Sequence, residues 1–410
     1  TRGPWKHRLT YLASETITVE ARRPGFNSAA FLVSYQTRKG QVQLALARGP
    51  LWQTDLGGAT GVTTPIALGK FVLLGTSKAT IEVVDSNLGA SRPINFPQTV
   101  DEFRQPPVVF QNQIYTILEN RLTAVDATTR TPQWSYPQTQ GESPLRLTGA
   151  FYVQEHQLIP GQLLFFLGCT GGEVVCFARD PEGRTIPYPK LQLGSDLSGQ
   201  LQGDQYEPGR TLLYAPAGNH LRVYDTTATT ERSAPVPAYE LRTRGELIGQ
   251  LTRATVAGHS AMLAIDSTGL LVAVDANPAV GDSKRTLGSW ALDGSGVVAP
   301  AYRQGQSIAY VAVAEGRVVA VDLARPGQLA WRFPAQGTTG PLAIAPAIGQ
   351  RGVYIADLQG TLRCLDAATG VERWHADLGS PPSSGILVHD GRLFVPTRAG
   401  ALVCFEEGDE

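Results

Sequence analysis

Residues that could do chemistry are few and dispersed in this sequence of 410 residues. The six histidines never fall at the HxxxH or HExxH spacing that places two metal ligands on one helix face. The four cysteines form neither a CxxC motif nor an adjacent pair, and no GxSxG elbow, Walker loop or GxGxxG motif occurs. We therefore predict no catalytic, cofactor-binding or metal-binding residue.

Six of the eighteen aspartates and three of the four cysteines instead hold fixed places in a repeated segment of seven residues. The segment has the form small-x-x-x-x-x-Asp and recurs about every 45 residues, beginning at Gly40, Ala79, Asn120, Gly172, Asn219, Gly269, Gly316, Gly360 and Gly400. Its last position holds, among others, Asp126, Asp275, Asp322 and Asp366. An Asp there can accept hydrogen bonds from backbone amides of the next turn. Cysteine takes the fifth position in three copies where others have alanine, so both residue types have structural explanations.

The repeat period and its β-branched alternation predict an all-β fold, a closed β-propeller of four-stranded antiparallel blades. We expect eight or nine blades and favour nine, the number of segments counted, in one domain over residues 1–410. The sequence TRGPW at 1–5 resembles ARGPLW at 47–52, which ends the first unit. Residues 1–10 are therefore predicted to be the strand that closes the last blade.

The tryptophans follow the repeated segments and are predicted to pack one blade against the next. A large ring recurring at one structural position is more economically explained by core packing than by ligand stacking. Gly370, in the turn before one of them, belongs to the same predicted docking motif. The predicted docking tryptophans are Trp5, Trp52, Trp134, Trp290, Trp331 and Trp374.

The phrase CLDAATGVERW at 364–374 resembles the tryptophan-docking phrase of PQQ-like β-propellers, the quinoprotein dehydrogenase-type fold. The resemblance extends over essentially the whole chain and is strongest in 296–406. It implies that the tryptophans are structural. Quinone-dependent alcohol dehydrogenases of the family carry an adjacent Cys-Cys ring and a calcium set; the first is missing here and the second cannot be placed. The resemblance thus favours the non-enzymatic branch, which includes the outer-membrane β-barrel assembly lipoprotein, and no cofactor.

Charge and hydropathy narrow the choice of partners. The net charge is −1 and like charges form no long block, so neither a nucleic-acid groove nor a polybasic membrane patch is indicated. No apolar run is long enough to span a membrane. Because the sequence begins at Thr1, we expect that an N-terminal segment, with any signal or anchor, has been removed. The family resemblance predicts an extracytoplasmic location, in the periplasm or cell envelope.

The interaction surface is predicted in the part of the chain where the repeat is hardest to recognise, a divergent sector at 136–250. Long connections at 136–162, 180–210 and 228–250 are expected to gather on one side of the ring. Their aromatic and arginine residues are types enriched in protein interfaces. Equally, these stretches are explained by divergent blades with unrecognised outer strands. The candidate interface residues are Tyr188, Tyr206, Arg184, Arg242 and Arg244.

The expected function is a protein–protein interaction or assembly scaffold within a larger bacterial complex. A first alternative is an enzyme, quinone-dependent or not, that uses the central channel. A second is a carbohydrate-binding or cell-wall sensor propeller. With all six tryptophans assigned to packing, the stacking surfaces that carbohydrate binding needs are fewer.

Overall fold

The computed structural model describes residues 17–21, 29–33, 48–96, 103, 105–137, 146–207, 209–296 and 298–408. Residues 66–406, together with one strand at 52–55, form a ring of eight four-stranded antiparallel sheets, or blades. A hairpin of two strands, β1 (Ile17–Ala21) and β2 (Ala29–Val33), precedes the ring. The predicted all-β propeller is confirmed, with eight blades.

Strands are numbered along the chain, and blades are numbered 1 to 8 in the order in which their innermost strands occur. Blade 1 contains β4 (Ile66–Leu68), β5 (Phe71–Gly75), β6 (Thr80–Asp85) and β7 (Ser91–Asn95). Blade 2 contains β8 (Val108–Phe110), β9 (Gln113–Leu118), β10 (Arg121–Asp126) and β11 (Pro132–Tyr136). Blade 3 contains β12 (Leu147–Glu155), β13 (Leu163–Cys169), β14 (Glu173–Arg179) and β15 (Thr185–Gln192). Blade 4 contains β16 (Gln202–Glu207), β17 (Arg210–Ala217), β18 (His220–Asp225) and β19 (Val236–Arg242).

The second half of the ring follows the same plan. Blade 5 contains β20 (Leu247–Val256), β21 (His259–Asp266), β22 (Leu270–Asp275) and β23 (Thr286–Ala291), with a 3-10 turn at Asp282–Lys284. Blade 6 contains β24 (Ala301–Tyr302), β25 (Ile308–Val313), β26 (Arg317–Asp322) and β27 (Leu329–Phe333). Blade 7 contains β28 (Ala347–Ile348), β29 (Val353–Ala356), β30 (Thr361–Leu365) and β31 (Glu372–Asp377). Blade 8 contains β32 (Leu387–His389), β33 (Arg392–Pro396), β34 (Ala401–Glu406) and, outermost, β3 (Trp52–Asp55).

The repeated segment forms the third strand of every blade. Strand β30, for example, pairs with β29 on one side and β31 on the other, and a glycine with φ of 89°, Gly360, makes the turn that precedes it. Positive φ favours glycine, which explains the small residue that opens most copies of the segment. Eight of the nine predicted segments are accounted for in this way. The ninth, at 40–46, lies outside the described residues, so the ring provides no support for nine blades.

The ring is closed by a different strand from the one predicted. Trp52–Asp55 pairs with Ala401–Cys404 and fills the outermost place of blade 8. The predicted closing segment at 1–10 lies outside the described residues, and its echo at 47–52 leads directly into the true closing strand. The sequence comparison identified the right phrase for closing the ring but predicted the copy at 1–5, whereas the copy at 47–52 leads into the closing strand.

Blades 3 to 5 differ from the others in their innermost strands. These strands have 9, 6 and 10 residues, whereas each innermost strand of the other blades has 2 or 3. The predicted connection at 180–210 contains strands β15 and β16. Most of the sector at 136–250 therefore belongs to complete blades that have diverged from the repeat.

The core lies in the seams between blades, where valine, leucine, alanine and aromatic side chains of one sheet pack on the next. The antiparallel order gives the ring two faces. Face 1 carries the turns between first and second strands and between third and fourth strands. Face 2 carries the turns between second and third strands and the connections between blades. In the described part of the chain, no helix is long and apolar enough to cross a membrane.

Candidate functional site

Four of the tryptophans occupy one position in the outermost strand of a blade. Trp52, Trp134, Trp331 and Trp374 each lie directly across from the fifth residue of the repeated segment, which is Cys404, Ala124, Ala320 and Cys364 respectively. A larger side chain at the fifth position would occupy the space of the indole. The interchange of cysteine and alanine in the repeat thus has a steric reason.

The tryptophan at this position contacts the next blade. The Trp331 indole N–H donates to the Ala367 carbonyl of blade 7 at 3.0 Å. The ring of Trp331 also covers Gly370, where an added Cβ would lie 2.5 Å from it. Trp52 of blade 8 covers Gly89 of blade 1 in the same manner, at 2.8 Å. These contacts pack the outermost strand of one blade against the blade that follows.

Trp290 reaches the next blade from a shifted position. It lies across from Leu271, two residues beyond the common position, which in blade 5 holds Gly288. Its indole extends back over Gly288 and its N–H lies 3.1 Å from the carbonyl oxygens of Asp322 and Arg325 in blade 6. The contact between blades is thus retained although the register differs. Trp5, the sixth predicted docking tryptophan, lies outside the described residues.

Tyrosine replaces tryptophan at this position in blades 3 and 4. Tyr188 pairs with Cys176 and Tyr239 pairs with Val223. The Tyr188 side chain is buried, and its hydroxyl donates to the Gln162 amide oxygen at 3.2 Å. Tyr188 is therefore a seam residue that is inaccessible to a partner and does not belong to an interface.

The repeat aspartates act as turn residues. Asp126 accepts hydrogen bonds from the backbone N–H groups of Thr128 and Thr129 at 2.8 and 2.7 Å. Asp322 accepts one from Ala324 at 2.9 Å, and Asp275 accepts one from Asn277 at 2.8 Å. Each carboxylate is therefore hydrogen-bonded to the backbone of the turn that follows it.

Asp366 has the most extensive set of partners among these carboxylates. It accepts from the backbone N–H groups of Ala368 at 3.0 Å and Thr369 at 2.8 Å, and it pairs with the Arg373 guanidinium. The hydrogen bonds from Arg373 and Thr369 lower the pKa of Asp366 to about 2. A carboxylate held ionised in this way stabilises a turn and is a poor general acid or base at neutral pH.

The cysteines are buried thiols. Burial raises the pKa of Cys176 and Cys404 to about 12, and that of Cys169 and Cys364 to about 11. All four are free. Among the described residues no group of three or more His, Cys, Asp or Glu side chains could hold a metal ion.

The remaining candidate interface residues are divided between the two faces. Arg184 lies in the outer turn of blade 3 on face 1, where its guanidinium binds Asp180 at 2.6 Å. Tyr206 is half-buried in β16 near the same face and packs in the seam between blades 4 and 5. Arg242 and Arg244 lie exposed at the end of β19, on face 2. These residues cannot form one contiguous surface.

A channel of about 740 Å³ runs between the innermost segments of the blades. Apolar and small residues form most of its wall, among them Val62, Ile66, Pro106, Val298 and Ile344. Its polar side chains are serine, threonine and glutamine. Every described residue that lines it is uncharged.

Pyrroloquinoline quinone, the cofactor that the fold suggests, carries several carboxylates and is bound beside a metal ion, commonly calcium, in its enzymes. The described wall residues provide neither a cationic side chain for the carboxylates nor a carboxylate for calcium. The described wall of the channel therefore does not fit the quinone.

Among the residues that the structure describes, large apolar side chains are exposed on one face only. In the described parts of the chain they are exposed by 43% to 77% and comprise Leu88, Leu158, Ile159, Val236 and Val371. Leu88 and Val371 lie in outer turns, Leu158 and Ile159 lie in the inner turn of blade 3, and Val236 begins β19. All five are therefore on face 1. Sequence reasoning missed them because buried and exposed apolar residues look alike in the absence of strand boundaries.

The exposed apolar pair in blade 3 is part of a larger raised surface. Its turn at 156–162 touches the outer turn at 180–184, since a Cβ added at Gly161 would lie 3.2 Å from Pro181. The turn that carries Leu158 and Ile159 thus adjoins the turn that carries Arg184, the one candidate arginine on this face. We call residues 156–162 and 180–184 the blade 3 crown.

The fold and the seam motif together resemble those of PQQ-like β-propellers. Residues 314–409, from blade 6 to the end of blade 8, match the family model of the outer membrane protein assembly factor BamB. The solved structure of BamB from Moraxella catarrhalis has a TM-score of 0.64 and 14% identity, covering 87% of this chain and 99% of that one.

Enzymes and kinases also appear among the similar proteins. The quinohemoprotein alcohol dehydrogenase ADHIIG from Pseudomonas putida HK5 has a TM-score of 0.62 and 15% identity, covering 88% of this chain and 76% of that one. The serine/threonine-protein kinase AfsK of Streptomyces griseus is 46% identical over 69 residues, which is 16% of this chain and 8% of the kinase. The likeness to the solved structures shows the fold alone.

Proposed function

We propose that this propeller is a non-catalytic scaffold that binds other proteins of an extracytoplasmic bacterial assembly through face 1. The observation that carries the proposal is the one-sided exposure of the large apolar side chains. Clustered exposed apolar side chains mark interaction sites, and Leu158 and Ile159 are the adjacent pair among the five.

The blade 3 crown is the proposed centre of the interface. Leu158 and Ile159 provide apolar contact area, and Arg184, which is paired with Asp180 and Glu182, adds a charged rim. The turn has a rigid base, because the backbone N–H of His156 donates to the Gln162 carbonyl at 2.8 Å. A fixed apolar surface binds with a smaller entropic cost than a loop that must first be ordered.

The cellular setting rests on the family match. The name of the matching family, an outer membrane protein assembly factor, supports a location outside the cytoplasm and a role in assembly for this chain as well. The uncharged channel and the turn-bound aspartates support a non-catalytic role.

The test is native purification followed by mass spectrometry of co-purifying proteins. Leu158→Asp with Ile159→Asp should abolish recovery of the partner and leave the melting temperature nearly unchanged, because both side chains are exposed. Arg242→Glu with Arg244→Glu on face 2 is the matched control and should leave recovery intact. Point substitutions are preferable to deletion of 180–210, which would remove β15. Recovery that survives the crown substitutions but not the face 2 substitutions would refute the proposal.

A further inference from the structure

We propose that the central channel is a second binding site, for a short uncharged peptide segment, with Gln200 and Gln250 as its main polar contacts. This site is separate from face 1, so neither proposal depends on the other. Four properties of the wall carry the inference: its neutrality, the prior use of its hydroxyl groups, the placement of its glutamines and the kinds of side chain around them.

The neutral wall selects against charged ligands. The described lining residues are glycine, alanine, valine, isoleucine, proline, serine, threonine and glutamine. A charged group entering the channel would lose hydration without gaining a counter-charge, which is costly in a site of this kind. An uncharged ligand avoids that penalty while it covers the apolar part of the wall.

Several wall hydroxyls are already hydrogen-bonded to backbone groups. Ser383 donates to the Gly61 carbonyl and Ser384 donates to the Thr63 carbonyl, each at 2.6 Å, linking blade 8 to blade 1. The Thr63 hydroxyl accepts from the Gly75 N–H at 2.9 Å. Glutamine amides are therefore the main polar side-chain groups left for a ligand.

Two of these glutamines occupy matching places on adjacent blades. Gly199 and Gly249 form a parallel bridge between the inner segments of blades 4 and 5. The backbones touch there, since a Cβ added at Gly199 would lie 2.3 Å from the Gly249 carbonyl oxygen. Gln200 and Gln250 follow directly and both line the channel. They present a pair of primary amides on one side of the wall.

The chemistry around this amide pair favours a peptide over a sugar. A primary amide offers one acceptor and two donors, which match the C=O and N–H groups of a peptide unit. No aromatic side chain is among the described lining residues, so the stacking platform that sugars commonly use is absent from them. Alanine, valine and proline give a smooth apolar wall for small side chains, and about 740 Å³ is within the usual size range of binding pockets.

The first experiment measures binding directly. The full chain is incubated with a mixture of acetylated, amidated hexapeptides of Gly, Ala, Ser, Thr, Gln and Val and, in a parallel sample, with maltohexaose. Ligands that stay with the protein are identified after gel filtration. The best binder is labelled and titrated by fluorescence polarisation beside matched peptides that carry Asp or Lys at a central position. We expect at least tenfold weaker binding of both charged peptides. Retention of no peptide, equal affinity for charged peptides, or retention of maltohexaose alone would overturn the proposal.

The second experiment localises the binding. Gln200→Ala with Gln250→Ala should weaken the labelled peptide at least tenfold. Ala343→Glu, at an exposed wall position, should weaken it similarly and improve binding of the Lys-bearing peptide over the unsubstituted chain. Leu88→Ser on face 1 is the control and should not change the affinity.

Near-UV circular dichroism checks that each variant retains the fold. If Ala343→Glu does not fold, the test rests on the affinity of the variant with Gln200→Ala and Gln250→Ala. Unchanged affinity in the folded glutamine variant would place the peptide elsewhere and refute the channel site.

Discussion

Gly370 of blade 7 lies directly beneath the indole of Trp331 of blade 6, so that a Cβ added at residue 370 would approach ring atom Cε3 to 2.5 Å. With φ of 73°, Gly370 also occupies the left-handed region. The smallest residue is thus required for two independent reasons, backbone conformation and contact with the neighbouring blade.

Gly370→Ala should destabilise the protein by more than the backbone conformation alone explains. Gly379 provides the matched control, because its φ is 71° and nothing lies within 4 Å of its added Cβ. Gly379→Ala should cost about 1–2 kcal/mol from the left-handed conformation. Gly370→Ala should cost about 1–3 kcal/mol more because the indole must shift. Urea unfolding measures both, and equal losses would show that the indole contact adds nothing.

Substitutions at Tyr188 should separate a seam residue from an interface residue. Tyr188→Ala should lower the free energy of unfolding by about 3–5 kcal/mol, as for a buried aromatic side chain. Tyr188→Phe removes only the hydrogen bond to Gln162 and should cost about 1 kcal/mol. Thermal and urea unfolding are the measurements. A Tyr188→Ala protein of unchanged stability would contradict the burial of this ring.

The Asp366 carboxylate should contribute stability that disappears in acid. Its folded pKa of about 2 lies below the ordinary value of 3.8, so the contribution is complete above about pH 4 and is lost as the pH falls through 2. Asp366→Asn keeps an acceptor for the Thr369 N–H but removes the charge that faces Arg373. Unfolding curves between pH 2 and pH 6 should show the variant less stable near pH 6 and the difference shrinking towards pH 2. A difference that stays constant with pH would rule out the charge as its source.

The four cysteine thiols should be unreactive in the native protein. Burial raises the pKa of Cys176 and Cys404 to about 12 and that of the other two to about 11. At pH 8 the thiols should therefore be protonated and also out of reach of a disulfide reagent. All four cysteines of the sequence should react after denaturation in guanidinium chloride. Rapid reaction of the folded protein with the reagent, seen as release of the reagent's chromophore, would show that at least one seam opens.

The repeated features were readable from sequence because the same steric requirement acts at every copy. Asp366 comes at the end of the repeated segment and accepts hydrogen bonds from the next turn as Asp126 does, so comparison within the chain shows its role. Cys364 and Ala320 interchange because each faces an indole. The propeller class follows from this repetition alone.

Tyr188 could not be assigned by comparison of repeats. Its role follows from the register that pairs it with Cys176, and a tyrosine in a diverged strand with two prolines resembles a loop residue. Leu158 and Ile159 could not be recognised because only the boundaries of β12 and β13 reveal that they lie in a turn. The amide pair in the channel depends on the Gly199–Gly249 bridge between blades, a tertiary contact with no local signature.

The outermost strand of blade 8 has a consequence for the order of events during synthesis. Arg48, just before that strand, donates to the Glu406 carbonyl at 2.8 Å across 358 positions of sequence. On the ribosome, Trp52–Asp55 emerges early and must wait for almost the entire ring to be translated before its partner strand exists. Seven blades can assemble from neighbouring segments while the nascent chain grows, whereas the eighth forms only near the end of translation. During that interval the unpaired strand is exposed to pairing with another chain.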